Sequence, residues 1–424
     1  MKEMKLPEAF TASTRLLMGE ERFARFLSSF DEETPVSIRL NPKKGGALKV
    51  ESGEGIDAVP WCPLGFYLPT RPNFTFDPLL HAGCFYVQEA ASMFIHHILS
   101  VECRVDSVEF TTPLETSAVA NSTLYTLHST LKVLDLCAAP GGKSTCLLGA
   151  LPSGSLLYSN EPVRQRASIL SENIQKWGHE GCIVTNNYPA DYVQSGLLFD
   201  IILCDVPCSG EGMFRKDPLT VGEWSPQQVD RCWRLQRDIV SDAWQCLRPG
   251  GLLIYSTCTF NTKENEENVH WMIDTFGAEL LSVPTDPSWG ITGSLLNGFA
   301  GPVYRFIPGI TRSEGLFVSV LRKNDGSVAK VRKPRPLNIV YDSREPRQQA
   351  VDSVELDYPT AISYLRGEAI HLSAGVPRGI IEVTFMGHPL GQVKNIGNRA
   401  NNLYPKEWRI KSTHTPKDYV PVLA

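Results

Sequence analysis

The sequence of 424 residues has no apolar run long enough to cross a bilayer, which takes about 18 residues. Its first residues, MKEMKLPEAFTAS, lack the apolar centre of a signal peptide, so we expect no export. The 11 cysteines are odd in number and show neither a repeated spacing nor the paired spacing of a zinc site. We therefore expect a cytoplasmic protein with reduced thiols, no membrane association and no bound metal. The sequence leaves the oligomeric state open.

An excess of positive charge is also missing, since 41 Lys and Arg stand against 46 Asp and Glu, for a net charge of −5. Two segments depart from this balance, because residues 322–335 and residues 394–417 each hold six basic residues and one acid. Local basic faces can bind a polyanion on a weakly acidic protein, although solvated surface charge explains them equally well. Composition alone therefore decides neither for nor against a nucleic-acid partner.

The centre of the chain alternates apolar runs with helical patterns. Strand-like runs occur at residues 131–136, 155–160, 182–186, 199–206, 251–258 and 315–322. Helical periodicity is clearest between them at residues 161–177 and 226–247. This alternation predicts an α/β fold with a doubly wound parallel sheet that helices cover on both faces. Ligands of such sheets bind at the carboxyl ends of the strands, so the residues that follow each run are the candidates for function.

The segment LDLCAAPGGKSTCLL, residues 134–148, predicts a strand ending near Asp135, a tight loop and a helix start. Cys137 stands where a Walker A loop needs its first glycine, and the G-x-G-x-x-G fingerprint of dinucleotide-binding folds is absent. Glu161 ends the next strand, where an acid can accept hydrogen bonds from ribose hydroxyls. Loop and acid together favour an adenosine-bearing ligand without a pyrophosphate, such as S-adenosylmethionine. A plain strand-to-helix turn is the alternative.

Two cysteines follow strand-like runs in loop surroundings: Cys208 comes just after Asp205, and Cys258 ends the next run. In a parallel sheet both thiols would face the ligand cleft, where a thiolate is a usable nucleophile. A thiolate that adds to carbon 6 of a pyrimidine makes carbon 5 nucleophilic toward a methyl donor, and an acid near N3 stabilises the adduct. Asp205 is the candidate for that acid. Methylation of an adenine amino group needs no thiolate and typically uses an Asn/Asp-Pro-Pro-aromatic loop, which Asp-Val-Pro-Cys does not match.

Three motifs, LDLCAAPGGKST, DVPCSGEG and YSTCTF, resemble those of the Nop/Sun family of RNA cytosine-5 methyltransferases and occur in the family's order. The resemblance implies a Rossmann-like class I methyltransferase core in which Cys258 is the nucleophile and Cys208 helps to release the product. Asn187 departs from the pattern, because many members have aspartate there. The contacts to S-adenosylmethionine that the resemblance implies come from Cys137, Ala138, Ala139, Pro140, Gly141, Gly142, Lys143, Glu161, Asn187 and Asp205.

Segments toward both ends, including SIRLNP, FDPLLHAGCFYVQEAASM, GHPLGQVK and NNLYPKEWRI, resemble the bacterial RsmF-type subgroup, which acts on 16S ribosomal RNA. The resemblance implies an N-terminal RNA-binding region at residues 1–80, the methyltransferase core at 81–322, a linker at 323–336 and a PUA-like α/β module at 337–424. Residues 103–132 are longer than the subgroup's pattern at this place, and we interpret them as an insertion in the core.

The expected activity is methyl transfer from S-adenosylmethionine to carbon 5 of a cytosine in 16S ribosomal RNA or the small ribosomal subunit, through a covalent Cys258–C6 adduct. A tRNA cytosine-5 methyltransferase stays open as an alternative, and so does a non-catalytic RNA-binding assembly factor on the same fold. The aromatic ring of Trp408 fits a small-domain core as well as it fits base stacking. The expected RNA contacts are Arg215, Lys216, Lys394, Arg399, Lys406, Trp408 and Arg409.

Overall fold

The computed structural model describes residues 6–45, 48–50, 55–102, 130–346, 350, 352–412 and 419–423. The predicted insertion at 103–132 lies outside these residues except for its end, where Lys132 begins a strand of the central sheet. Within the described ranges, no helix is both long enough and apolar enough to cross a membrane.

Helices and a four-stranded sheet form the N-terminal region. The helices are α1 (Glu8–Met18), α2 (Glu20–Ser28), α3 (Pro78–His81) and α4 (Phe94–Glu102). The strands are β1 (Val36–Leu40), β2 (Asp57–Ala58), β3 (Gly65–Leu68) and β4 (Phe85–Val87). They lie in the order β2-β3-β1-β4 with antiparallel neighbours. β4 belongs to this sheet, although the sequence pattern places residues 81–322 in the core.

Nine strands form the central sheet, and its five parallel members confirm the predicted α/β class. The strands are β5 (Lys132–Asp135), β6 (Leu156–Asn160), β7 (Cys182–Thr185), β8 (Phe199–Asp205), β9 (Leu247–Thr257), β10 (Glu279–Leu281), β11 (Tyr304–Phe306), β12 (Leu316–Arg322) and β13 (Ile339–Asp342). Their order is β10-β12-β9-β8-β5-β6-β7-β13, with β11 beside β12. β5 to β9 pair in parallel, whereas β10 to β13 pair antiparallel to their neighbours.

Helices cover both faces of this sheet. They are α5 (Gly142–Ala150), α6 (Arg164–Trp177), α7 (Pro189–Ser195), α8 (Pro218–Glu223), α9 (Pro226–Cys246) and α10 (Glu266–Phe276). Leu147 of α5 and Leu170 of α6 pack in the apolar cluster of one face, and Val240 of α9 and Met272 of α10 in the cluster of the other. The chain runs from β5 to β6 on one side, and β8 pairs with β5 on the other side. The strand order therefore reverses at β5, and such a reversal opens a cleft at the carboxyl end of the strand.

The C-terminal module has four strands and one helix. They are β14 (Asp352–Glu355), β15 (Gly379–Phe385), β16 (His388–Asn395), β17 (Ala400–Asn402) and α11 (Tyr358–Leu365). Its apolar side chains share a cluster with the N-terminal sheet, in which Ile38 and Phe85 pack with Tyr364 and Val383. β13 pairs with β7 of the central sheet, although its residues fall in the range 337–424 of the predicted module. The domain boundaries therefore stay predictions.

A buried arginine joins the N-terminal sheet to the central domain. The side chain of Arg39 on β1 is 1% exposed. Its Nε donates to Gln88 Oε1 at 2.7 Å, and its Nη2 donates to Thr145 Oγ1 of α5 at 2.6 Å. The guanidinium also lies 4.6 Å from the ring centre of Trp177. A buried charge persists only when it is bonded in this way, so these contacts fix residues 85–92 against the start of α5.

Candidate active site

The loop between β5 and α5 turns tightly at the cleft. Ala138 N donates to Asn160 O at 2.7 Å, and Gly141 N donates to Ala138 O at 2.8 Å. Gly141 has a φ of 113°, in the left-handed region that favours glycine, and a Cβ there would come within 3.2 Å of Leu170. The predicted loop residues that line a cavity of about 380 Å³ are Cys137, Ala138, Ala139, Pro140, Gly142 and Lys143.

Asp135 ends β5 beneath this loop and is fully buried. Its Oδ2 accepts a hydrogen bond from Ser144 Oγ at 2.6 Å, while its Oδ1 has no partner among the described residues. Burial raises the pKa of Asp135 to about 7, against the opposing effect of the Ser144 bond. Because Asp135 also lines the cavity, its open oxygen is available to a cationic or N–H group of a ligand.

Two further predicted cofactor residues, Glu161 and Asn187, follow β6 and β7 and are already bonded. Glu161 is 1% exposed, its Oε1 accepts from Val163 N at 3.0 Å, and its Oε2 lies 3.2 Å from Arg166 Nη1. Asn187 Oδ1 accepts from Asn338 N at 2.9 Å, and its Nδ2 donates to Asn338 O at 3.1 Å. Both polar groups of Asn187 thus hold the backbone that leads into β13. Neither residue lines the 380 Å³ cavity.

The two predicted cysteines lie side by side, although 50 residues separate them in the chain. Cys258 follows β9, Cys208 follows β8, and their Sγ atoms are 3.2 Å apart. This separation is far longer than the roughly 2.05 Å of a disulfide, so both are free thiols. The hydrogen bond with Cys258 and burial raise the pKa of Cys208 well above its usual value. These contacts favour the thiol form of Cys208, and either sulfur of the pair can be the donor.

A buried polar network ties the two cysteine loops together. Asn261 Nδ2 donates to Glu264 Oε1 at 2.8 Å and to Glu211 Oε1 at 3.0 Å. Ser209, next to Cys208, gives its backbone N–H to Glu264 Oε2 at 3.0 Å and bonds Thr259, next to Cys258, through their hydroxyls at 2.8 Å. Such a network fixes the spacing of the thiols because each loop supplies partners to the other. No sequence pattern marks this network, since its members look like ordinary polar loop residues.

Asp205 and Lys143 form an ion pair at the centre of the cavity. Lys143 Nζ lies 2.9 Å from Asp205 Oδ2, and Ser256 Oγ donates to Asp205 Oδ1 at 2.7 Å. Burial alone would lower the pKa of Lys143, but the carboxylate of Asp205 raises it above its usual value. Cys258, Asp205, Lys143 and the cofactor loop therefore share one space.

Part of the cavity wall comes from elements that the sequence did not associate with the site. Tyr86 and Glu89 reach the cavity from the N-terminal region, and Glu314 reaches it from the turn before β12. Glu314 is 2% exposed, and its Oε1 lies 2.9 Å from Arg215 Nη1. Burial raises the pKa of Glu314 to about 7, although Arg215 opposes the shift.

The predicted RNA contacts differ in what the structure leaves accessible. The Arg215 side chain is 6% exposed and occupied by Glu314, and it also lines a second cavity of about 810 Å³. Lys216 is exposed at the rim of the catalytic cavity. In the C-terminal module Lys394, Arg399 and Lys406 are exposed, whereas Trp408 and Arg409 are half-buried.

Trp408 combines the two roles that the sequence left open. Its ring packs edge-on to the buried Tyr404 at 5.9 Å, yet it also lines a groove of about 610 Å³. Lys176 of α6 places its Nζ 5.5 Å from the centre of that ring. Within the described part of the chain, no group of His, Cys, Asp and Glu side chains could hold a metal ion.

Three family models match the chain and together span most of it. The model of 16S rRNA methyltransferase RsmB/F matches residues 122–322. The model of the N-terminal domain of 16S rRNA methyltransferase RsmF matches residues 6–90, and that of the methyltransferase RsmF PUA domain matches residues 351–410.

Curated relatives and solved structures agree with these models. Ribosomal RNA small subunit methyltransferase F of Aliivibrio salmonicida is 32% identical over 345 residues, which cover 78% of this chain and 67% of the relative. The protein of the same name from Escherichia coli O9:H4 is 26% identical over 489 residues, with 95% and 96% coverage. The crystal structure of NSun6 from Pyrococcus horikoshii with SFG has a TM-score of 0.56 at 20% identity, and the match covers 75% of this chain and 98% of that chain.

Proposed function

The chain belongs to the RsmF family of ribosomal RNA small subunit methyltransferases, as its motifs predicted, and on that premise we propose that it methylates carbon 5 of a cytosine in 16S ribosomal RNA. S-adenosylmethionine is the proposed methyl donor. The observation that carries the proposal is the pair of thiols 3.2 Å apart, of which Cys258 shares a cavity with Asp205 and the cofactor loop. Methyl transfer to an amino group or a ribose hydroxyl needs no such pair.

The residues around the loop fit S-adenosylmethionine. The donor carries a positively charged amino group, and the open Oδ1 of Asp135 is a buried acceptor that lines the cavity. The turn at Gly141 lets the backbone approach a ligand closely, and Glu161 is the predicted partner of the ribose hydroxyls. When bound, the donor supplies an electrophilic methyl group. The protein's share of the work is to hold it, to activate the cytosine and to exclude water.

Cys258 activates the cytosine by adding to carbon 6. The new C6–S bond places electron density on carbon 5, which then attacks the methyl group. Cys208 Sγ lies 3.2 Å from Cys258 Sγ, and in our proposal Cys208 donates its S–H across this contact and stabilises the thiolate before attack. The C5 proton then leaves to a base, the C6–S bond breaks, and its electrons return to sulfur. The same S–H donor stabilises the departing thiolate, which is how Cys208 assists elimination.

Asp205 supports the adduct at N3. Ser256 and Lys143 hold its two carboxylate oxygens, so the side chain has one orientation toward the cavity. Addition of the thiolate puts negative charge on the ring. A proton delivered to N3 through Asp205 neutralises that charge, and the cationic Lys143 lies in place beside it, which avoids reorganisation during the reaction. A base in a helix cannot reach this buried cavity, so the target cytosine is flipped out or lies in a single-stranded segment.

The RNA contacts outside the cavity remain proposals. Lys216, exposed at the rim of the cavity, is the proposed phosphate contact beside the target base, and the exposed Lys394, Arg399 and Lys406 are the proposed contacts on the C-terminal module. A tRNA cytosine-5 methyltransferase would use the same cavity, and its RNA surfaces would differ. A non-catalytic assembly factor would have no use for a thiol pair or for the orphaned oxygen of Asp135.

Trapping of a covalent complex tests the proposal. The Cys208→Ala variant is incubated with S-adenosylmethionine and unmodified 16S RNA or small subunits, and then run on a denaturing gel. We expect an RNA–protein band that is absent in wild type and in the Cys208→Ala/Cys258→Ala double variant. Cys246→Ala removes a core cysteine that is 1% exposed and serves as the matched control without a band.

Each failure has a separate meaning. Methyl transfer by wild type without a trapped band would show that the two cysteines do not have these roles. Transfer to tRNA and not to 16S RNA would select the first alternative. No transfer to any RNA, together with no binding of S-adenosylmethionine, would select the assembly factor.

A further inference from the structure

Four described acids line the catalytic cavity, and their free acceptor atoms are not equivalent. Glu89 Oε1 accepts from Glu314 N at 3.1 Å, and its Oε2 accepts from Ser92 N at 3.0 Å. Asp205 is held through both oxygens, by Ser256 and Lys143. Asp135 has an open oxygen, but it lies beneath the cofactor loop at the end of β5.

Glu314 is the fourth acid, and one of its carboxylate oxygens is also open. Its Oε1 lies 2.9 Å from Arg215 Nη1, and its Oε2 is buried with no partner among the described residues. A buried acceptor left without a partner destabilises the ligand-free site. A ligand that brings an N–H group to this oxygen removes that destabilisation, so the site favours a hydrogen-bond donor at this point.

Glu314 lies on the same wall as the nucleophile. Gly212 N donates to Cys258 O at 2.7 Å, and a Cβ at Gly212 would come 2.7 Å from Cys258 O and 3.1 Å from Glu314 O. The backbones of Cys258 and Glu314 therefore flank the same glycine. Cys258 and Glu314 also line the same cavity, so a pyrimidine whose carbon 6 meets Cys258 shares that cavity with the Glu314 side chain.

An enzyme that methylates cytosine needs a contact that distinguishes cytosine from uracil. Cytosine carries an amino group at C4, whereas uracil carries an oxygen there and an N–H at N3. Asp205 can meet N3 of cytosine as an acid or the N3–H of uracil as a carboxylate, so the contact at N3 alone does not decide between the two bases. The amino group at C4 is the feature that separates the two bases.

We propose that Glu314 Oε2 accepts a hydrogen bond from the 4-amino group of the target cytosine and thereby selects cytosine over uracil. This inference rests on the proposed function. Arg215 balances the charge of Glu314 and fixes its orientation, so it is a positioning residue. The O4 of uracil has no proton to donate, so uracil cannot make the bond that cytosine makes, and its O4 repels the carboxylate form of Glu314. Sites that hydrogen-bond a substrate group discriminate strongly against analogues that lack it.

The test compares two target bases in the Glu314→Gln variant. A short RNA around the trapped cytosine is made with cytidine or uridine at the target, and single-turnover methylation is followed by mass spectrometry of 5-methylcytidine and 5-methyluridine. Wild type should prefer cytidine by at least about 100-fold. The glutamine amide can turn its NH₂ toward O4, so the variant should methylate cytidine about tenfold more slowly and narrow the cytidine-to-uridine ratio at least tenfold.

Glu102→Gln is the matched control, because Glu102 is also buried and lies 3.8 Å from an arginine, Arg322, away from this cavity. Its ratio of cytidine to uridine should equal that of wild type. If Glu314→Gln slows both substrates by one factor and leaves the ratio unchanged, Glu314 has only a structural role and the inference is overturned. If wild type methylates neither RNA, the proposed function itself fails, and the two failures are therefore distinguishable.

Discussion

The substitution Asp135→Asn should weaken binding of S-adenosylmethionine by about 10- to 150-fold. Asp135 is fully buried, Ser144 bonds one of its oxygens, and the other faces the cavity without a partner among the described residues. A hydrogen bond between this oxygen and the charged amino group of the donor is worth roughly 1.5–3 kcal/mol. That range corresponds to the stated loss of affinity, since about 1.4 kcal/mol is a factor of ten. Isothermal titration calorimetry measures it directly.

The pH dependence of binding gives a second signature of the same contact. Burial raises the pKa of Asp135 to about 7, so the free protein holds a proton there in mildly acidic solution. The cationic ligand favours the carboxylate, and binding below pH 7 must therefore release that proton. Affinity in wild type should rise from pH 6.0 to pH 7.5, with proton release visible as a dependence of the heat on the buffer. The Asp135→Asn variant should show neither effect.

Stability separates a lost contact from a damaged fold. The ligand-free Asp135→Asn protein should melt at the same temperature as wild type or higher, because the substitution removes a carboxyl that burial disfavours. Asp200→Asn is the control: Asp200 begins the neighbouring strand β8, bonds Arg248 and Lys132 N, and lies at the far end of the sheet from the cofactor loop. Its variant should lose stability and keep wild-type affinity. Wild-type affinity and pH profile in Asp135→Asn would refute the assignment.

Three further outcomes are expected. Burial raises the pKa of Glu264 from 4.5 to about 7, so the free energy of unfolding should fall by about 1 kcal/mol per pH unit as pH rises between these values. Denaturant titrations of Glu264→Gln should show a flatter dependence on pH. An unchanged dependence would contradict this role of Glu264. Asn187→Asp replaces the donor to Asn338 O by an acceptor and should lower the free energy of unfolding by about 1–3 kcal/mol. Unaltered stability would show that Asn187 does not hold the backbone that leads into β13. Lys394→Gln and Arg399→Gln should each reduce by about 1 the slope of the log of affinity for 16S RNA against the log of salt concentration. If a variant keeps the wild-type slope, the residue that it replaces does not contact the RNA.

The part of the site that lies at the carboxyl ends of the parallel strands could be predicted from the sequence for a geometric reason. Carboxyl ends of parallel strands meet at one edge of a sheet, so residues that follow separate strands must lie together. Cys208 and Cys258 obey this rule, and their loop surroundings distinguish them from core cysteines such as Cys204 and Cys246. The cofactor loop obeys it as well, since glycines and small residues after β5 indicate a close backbone approach.

The same rule fails for the residues that the sequence did not reveal. Glu314 precedes β12, which is antiparallel to β9, so the start of this strand and not its end lies at the edge of the site. Tyr86 and Glu89 reach the cavity through packing of the N-terminal region, which no local pattern encodes. Arg215 shows a third limit, because its place after Cys208 predicts a phosphate contact while the fold buries it against Glu314. A charged residue in a sequence therefore does not show whether it binds RNA or pairs with another side chain of the protein.

Three buried carboxyls of this site, those of Asp135, Glu264 and Glu314, have pKa values raised to about 7 by burial. A raised folded-state pKa means that each group favours the folded state fully below its unfolded value, near 4, and that this contribution is lost as pH rises toward 7. At neutral pH the ligand-free site therefore weakens a fold whose margin is typically about 5–15 kcal/mol. Glu264 offsets this through the network that spaces the thiols. Asp135 and Glu314 each have one oxygen without a partner among the described residues. In our proposals the amino group of the methyl donor bonds the oxygen of Asp135, and the 4-amino group of the cytosine bonds that of Glu314. These bonds offset the loss of stability that the two carboxylates cause. Binding of both substrates should consequently stabilise the protein more at pH 7.5 than at pH 6. If the carboxyls of the site had normal pKa values, this stabilisation would be the same at both pH values.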